Sequence, residues 1–304
     1  MKKENKMALI FNFKFLRCMS FVVTFSLTCF SNFCYAQYLS GPVARSLGGA
    51  GRGAADDGEQ ILLNPAGLVH GSPFTSSVFY QDGYWAKGEH ESSLGFGLAD
   101  NSEELIFAGS YVFDKARKTF VGQKTREEQY HQISLARFIF PHISTGMTLT
   151  FLQTHLIGGN DYTQWNSHIG FLYNPVSEIG IGLIFYNFAA KDEKIPVEIR
   201  NLSSISAGLN YIFMPNFRAR VDVTTRESLN PDNKLKYDMG IESKLTEMFT
   251  TRIGYQKDGF LNRNFYTLGL CFDGPRLKID YSYVKNSDYS DGAMHGVDLR
   301  MPFW

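Results

Sequence analysis

The chain has 304 residues, of which 30 are basic and 30 acidic, so it is formally neutral, and 15% of its residues are aromatic. That balance excludes the basic footprint of a nucleic-acid binder, and only four cysteines in this length exclude a disulfide-stapled scaffold. After residue 36 no apolar run approaches the roughly 20 residues that a membrane-crossing helix needs.

Residues 1–36 read as a secretory signal peptide. Lys2, Lys3, Lys6, Lys14 and Arg17 face a single acid, Glu4, ahead of an apolar run from Cys18 to Phe30. Ser31 to Ala36 supplies the small and polar residues of a cleavage region, with the cut expected after Ala36. Removal would leave 25 basic residues against 29 acidic ones and Cys271 as the one remaining cysteine. The expected product is exported, yet held together without an internal disulfide.

Residues 37–72 show no strand alternation. Gly41 to Gly71 is rich in Gly and Ala, carries the pair Asp56–Asp57, and ends in Asn64-Pro65-Ala66-Gly67. The bond to Pro65 forces Asn64 out of the α region and stops any helix there. An irregular segment of small residues needs a surface that satisfies its backbone groups, and the expected surface is the inside of a β-barrel.

Residues 73–304 repeat one theme, segments of about ten residues alternating apolar with small or polar side chains between turn signals. Expected strands are 74–82, 90–99, 104–113, 128–139, 145–156, 163–173, 178–189, 203–213, 216–226, 234–243, 248–257, 264–273, 276–286 and 293–303. The class is therefore all-β, a transmembrane antiparallel barrel of about 14 strands with an N-terminal hatch, in the outer membrane of a Gram-negative bacterium. Connections after every second strand are short, as at Met214-Pro215, and the intervening ones, such as Asp114–Glu127 and Lys191–Leu202, are longer and polar. Short periplasmic turns and longer outer loops are the usual asymmetry of such barrels.

Alternation also assigns faces. In the last six strands the inner face carries mixed charge, including Arg218, Arg220, Asp222, Asp238, Glu242, Arg252, Asp280 and Arg300. In the first seven it reads as apolar. Phe79, Ile106, Val112, Leu152, Leu172, Ile184, Tyr186 and Phe188 form a possible ligand wall, or equally a surface that packs on the N-terminal segment. Gly109, inside the third strand, is a candidate kink. No metal-ligand spacing occurs, and no cofactor is implied. Ser167-His168 are neighbours and so point to opposite faces, which argues against a lipid-facing hydrolase pair and against an enzyme.

Ala44-Arg45-Ser46-Leu47-Gly48-Gly49-Ala50, Ala54-Ala55-Asp56-Asp57 and Asn64-Pro65-Ala66-Gly67-Leu68 resemble the N-terminal signature of the FadL/OMPP1/TodX family of outer-membrane transporters for long-chain fatty acids and other hydrophobic compounds. The C-terminal Phe303-Trp304 resembles the signal read by the barrel-assembly machinery, an implied partner during insertion. The resemblance implies a hatch that plugs the barrel, a hydrophobic small-molecule ligand, a surrounding outer-membrane lipid, and passive uptake with lateral exit at a kinked strand. A structural or partner-binding barrel with no permeant is the alternative, favoured by the short loops.

Overall fold

The computed structural model describes residues 39–55, 59–120, 125–188, 194–196, 199–226 and 235–303. The signal-peptide assignment, the pair Asp56–Asp57 and Trp304 lie outside the described residues.

Fourteen antiparallel strands close into a barrel in which every strand pairs with its sequence neighbours and β1 (Phe74–Ala86) pairs with β14 (Ala293–Phe303). The others are β2 (Glu89–Asp100), β3 (Ala108–Thr119), β4 (Arg126–Phe140), β5 (Ile143–Leu156), β6 (Asp161–Val176), β7 (Ile179–Tyr186), β8 (Ser204–Met214), β9 (Phe217–Arg226), β10 (Leu235–Lys244), β11 (Phe249–Asp258), β12 (Arg263–Asp273) and β13 (Lys278–Asn286). Strands form here because successive side chains see opposite environments. In β14, Met294, Asp298 and Arg300 are buried in the lumen while Val297, Leu299, Met301 and Phe303 are exposed outside. Closure of β1 on β14 removes the two open edges that an unclosed sheet would present to lipid.

The outer wall exposes large apolar side chains on every strand but β3, among them Leu94, Ile133, Leu149, Leu209, Ile253 and Leu270. A water-exposed surface rarely tolerates so continuous a patch, whereas a bilayer requires it. Aromatics border the band. Phe96, Phe113, Phe151 and Trp165, with His131 among them, share one row across β2–β6. Phe74, Phe303, Phe249 and Phe272 lie toward the short-turn end.

Several connections differ from expectation. β1 runs on to Ala86 and β2 starts at Glu89, so the expected loop 83–89 is a two-residue turn. β3 runs on to Thr119 and β4 starts at Arg126, so most of the expected loop 114–127 is strand, and Asp114, Lys118, Arg126 and Glu128 are buried in the lumen. Hence the inner wall of β1–β7 is not predominantly apolar: Thr75, Ser77, Gln81, Gln132, Thr148 and Asn166 are buried there as well. The β2–β3 turn is longer than expected because β3 begins at Ala108 rather than at residue 104.

Residues 39–55 and 59–72 run through the lumen as a hatch built of the one-turn helices Pro42–Ser46 and Gln60–Leu63 and the 3-10 helix Pro65–His70. Between the first two, Gly48 and Gly49 take φ of 69° and 93°, values that other residues rarely reach. The hatch backbone touches the wall where the wall has no side chains. Inward-facing Gly146, Gly170, Gly208, Gly240, Gly254 and Gly269 meet it on six strands. A methyl group at Gly146 would sit 2.6 Å from the Pro65 carbonyl carbon, and one at Gly240 2.7 Å from the Leu47 oxygen.

Gly240→Val is therefore expected to leave the barrel inserted but displace the hatch and raise ion leak in planar bilayers. Gly109→Val, whose new Cβ would find only Leu135 Cδ2 at 3.8 Å and the Ser134 oxygen at 4.0 Å, should leak like the parent. Equal conductance of the two variants would count against the wedge.

Candidate functional site

The hatch is pinned by one buried charge. Arg52, 1% exposed, stands between two glycines. Its Nη1 donates to Asp222 Oδ2 at 2.9 Å and to Asp238 Oδ2 at 3.4 Å, and its Nε donates to the Tyr186 hydroxyl at 3.0 Å. The backbone N–H groups of Gly51 and Arg52 also donate to Asp222 Oδ2, both at 2.9 Å. β7, β9 and β10 thus hold one guanidinium through two carboxylates and a phenol. Removing one partner of such a buried set costs about 3–5 kcal/mol, because the other charge is left uncompensated.

The Asn64-Pro65-Ala66 stretch fixes the other half. Asn64 is extended, with φ −149° and ψ 106°, as a residue before proline must be. Its Oδ1 accepts from Ala66 N at 3.1 Å and caps the 3-10 helix, while its Nδ2 donates to Arg52 O at 2.9 Å and to Phe171 O of β6 at 3.2 Å. Ser144 Oγ donates to Ala66 O at 2.7 Å and Tyr186 OH to Leu63 O at 2.8 Å. Gly146 and Gly170 give Asn64 and Pro65 their room. Gly67 is buried against the Gln60 side chain.

Two chambers lie on opposite faces of the hatch. The one toward the long loops encloses about 240 Å³ and is lined by Trp85, Phe120, Tyr130, Leu152, Phe265 and Val284 together with paired charges. Trp85 is its centre. Phe265 meets the indole edge-on at 5.5 Å, Arg45 lies over it at 5.3 Å, and its Nε1 donates to Glu91 at 2.8 Å. Described residues of the β7–β8 connection fold inward beside the chamber: Leu202 is fully buried, and Gln164 donates to the Ile199 carbonyl at 2.7 Å. The other chamber, about 350 Å³, opens toward the short turns and is lined largely by charged side chains.

The wall also has a notch. Pairing between β3 and β4 ends at Ala108 and Ala136, yet β4 continues to Phe140, paired only with β5. Leu105, Ile106, Phe107, Phe138, Ile139 and Phe140 are exposed around the gap. Just inside it Ile61, Leu62 and Leu68 of the hatch pack with Phe79, Ala108, Val112 and Ala136. His70 meets Phe138 edge-on at 5.1 Å, and burial lowers its pKa below the usual imidazole value.

Of the expected ligand wall, Phe79, Val112, Leu152, Leu172, Ile184 and Tyr186 are buried facing inward. Phe79 and Val112 are covered by the hatch, Tyr186 is bonded to it, and of the eight only Leu152 reaches the outer chamber. Ile106 and Phe188 do not belong to the wall, being 76% and 47% exposed. Ile106 precedes the true start of β3, and the chain turns at Asn187, φ 52°, before Phe188, so alternation fails at both. Gly109 carries no kink: it pairs in register with Asp100 and Leu135, and the irregularity lies in the connection before it. Phe303 pairs with Phe74 at the barrel seam, their rings 5.6 Å apart. Sequence reasoning had Asp222 and Asp238 facing inward but missed Arg52, whose signal was an arginine flanked by glycines.

No family model and no curated protein matches the sequence. Solved structures do match the fold. A Pseudomonas aeruginosa FadL homologue superposes with a TM-score of 0.64 at 12% identity, over 89% of this chain and all of its own. The CymD monoaromatic hydrocarbon channel gives 0.62 at 12% identity, over 87% of this chain and 97% of its own. The Pseudomonas putida toluene transporter TodX gives 0.57 at 11% identity, over 88% and 98%. The barrel has the fold of these FadL-type proteins, so the resemblance carried by the N-terminal motifs holds at the level of fold.

Glu59 makes the docking of the hatch pH-dependent. Glu59 is buried, and Val43 N donates to its Oε1 at 3.0 Å. Burial raises its pKa above the ordinary 4.5, and the Arg300 charge opposes that rise. With the docked pKa above the released one, docking is favoured below pH 4.5 and weakens as pH rises through the higher docked value. The contribution of Glu59 to docking is accordingly lost as pH rises above 4.5, which should raise leak through reconstituted barrels, and Glu59→Gln should flatten that rise. A slope unchanged by the substitution would remove Glu59 from the account.

Proposed function

We propose that this chain is an outer-membrane channel for compact hydrophobic compounds, which enter the aromatic chamber from the long-loop side and leave through the notch between β3 and β4. The observation that carries this reading is the divided lumen. The hatch separates a chamber centred on Trp85 from one lined by charge, while an apolar seam of hatch and wall residues lies at the notch. A hydrophobic molecule gains nothing by crossing into the charged chamber, whereas the notch offers it lipid. The likeness to a toluene transporter and a monoaromatic hydrocarbon channel supports the same substrate class.

Size favours compact ligands over long-chain fatty acids. An apolar cavity of about 150 Å³ takes one benzene ring, so the 240 Å³ chamber suits a substituted ring better than an extended acyl chain. Long-chain fatty acids remain the comparison substrate.

The test uses cells with an intact lipopolysaccharide leaflet that carry the protein, compared with cells lacking it. Labelled toluene is expected to enter faster, with labelled palmitate little affected. Replacing residues 101–107 with a short turn that lets β3 pair along all of β4 should abolish the gain. Uptake undiminished by that closure would overturn the lateral route. No gain from the parent protein, with a protein partner co-purifying instead, would favour the partner-binding barrel.

A further inference from the structure

The chamber on the long-loop side holds one acid that neither the wall nor the hatch satisfies. Among the described residues its lining carries four acids, Glu91, Asp114, Glu128 and Asp258. Three of them have close partners. Glu91 accepts from Trp85 Nε1 at 2.8 Å and pairs with Arg45 at 3.4 Å. Glu128 pairs with Lys118 at 2.8 Å and with Arg126 at 2.7 Å. Asp258 accepts from the N–H groups of Phe260 and Leu261 at 2.8 Å and 3.0 Å. Asp114 is 4% exposed, and its side chain has no hydrogen bond and no ion pair among the described residues.

Strand register explains the omission. Asp114 lies opposite Gly95 of β2 and Tyr130 of β4. Gly95 brings no side chain, and the Tyr130 hydroxyl donates instead to Gln132 Oε1 at 2.9 Å. Lys118, on the same face of β3, pairs with Glu128. Asn201 adds a second acceptor to the same lining. Its Oδ1 is buried without a donor, while its backbone N–H is given to Gln164 at 2.7 Å. Water can serve such groups in an open chamber. A pure hydrocarbon that displaces the water leaves them bare, at the full desolvation cost of an unmade bond. A ligand with a donor of its own restores the bond.

The place of Asp114 on the proposed route is also defined. The inner face of β3 runs from Lys118 through Asp114 to Val112 and Ala108, from the aromatic chamber to the apolar seam at the notch. We infer that the chamber selects, among compact aromatic molecules, those that carry one O–H or N–H donor, and that Asp114 is the residue that reads the donor. The ring then rests on the apolar lining, including Leu152 and Phe265. Arg45, Lys118, Lys236 and Arg263 line the same space, so a neutral phenol or arylamine fits it better than an ammonium does. The inference rests on the chamber being the entry site proposed above, and it narrows the ligand class of that site.

The test is equilibrium dialysis of labelled p-xylene, p-cresol and p-toluidine against the intact protein in neutral detergent, with binding to detergent alone subtracted. The three ligands share one shape and differ in a methyl, hydroxyl or amino group. The parent is expected to hold p-cresol or p-toluidine at least about tenfold more tightly than p-xylene, since the analogue without a donor leaves a buried acceptor unpaired. Comparing p-cresol with p-toluidine tells which donor the site takes. Asp114→Leu should erase the preference and keep the p-xylene affinity. Asp114→Asn, which retains an acceptor oxygen, should keep part of it. Folding of both variants is checked by heat-modifiable gel migration. Should Asp114→Leu not fold, the preference of the parent and its reduction in Asp114→Asn decide the matter. Equal binding of all three ligands by the parent, or a preference that survives in folded Asp114→Leu, overturns the inference and leaves the hydrophobic channel standing. A parent that binds none of the three overturns both.

Discussion

A barrel of fourteen strands is wide enough to need filling, and what fills it here is backbone rather than side chains. Backbone inside a lumen carries N–H and C=O groups that need partners, and it can reach them only if the wall gives way. The wall does so twice over. Inward positions such as Gly146, Gly240 and Gly254 remove the Cβ atoms that would collide with the hatch. Between them Ser144, Thr267, Gln256 and Asp222 offer side chains at hydrogen-bonding distance to hatch carbonyls and amides. Glycine weakens a strand, so its recurrence on one face of so many strands has no explanation within the sheet. The hatch supplies that explanation.

Charge divides the lumen as firmly as the hatch does. Above the plug the ionic groups are paired locally around aromatic surface: Arg45 with Glu91, Lys118 and Arg126 with Glu128, and Arg263 with Glu89. Below it the cations outnumber the acids. A hydrophobic molecule on an axial path would leave Trp85, displace the Arg52 triad and then meet a chamber of guanidiniums. Each step exposes or breaks buried charge. The notch asks for neither, because the surfaces around it are Phe107, Phe138 and Ile139.

The architecture was legible because alternation with period two reports which side of a wall a residue faces, and it survives ignorance of the partner strand. Thirteen of the strands begin within three residues of expectation, and β14 matches at both ends. Where the backbone leaves the sheet that logic stops. Ile106 lies before β3 begins and Phe188 after the left-handed Asn187, and both were given a face they do not have. Treating 114–127 as a loop hid Asp114, Lys118 and Arg126 and made the first wall look apolar. The Arg52 triad was illegible for another reason. Its partners lie 170 and 186 residues away, and no local pattern records which inward acid meets which hatch residue.

The two halves of the hatch are held by different forces, and this bears on how it opens. The half around Arg52 is fixed by buried charge, worth about 3–5 kcal/mol if one partner is lost. The half from Gln60 to His70 is held by neutral hydrogen bonds, each with a net worth of about 0.5–1.5 kcal/mol, and by packing of Ile61, Leu62 and Leu68 on the wall beside the notch. Hydrophobic packing is non-directional, so an apolar ligand arriving at that seam can take over the contacts that the hatch gives up. It cannot replace Asp222 for Arg52. A local shift of the second half, assisted by the permeant, therefore costs less than ejection of the whole plug. It also opens the hatch at the place where the wall is already unpaired.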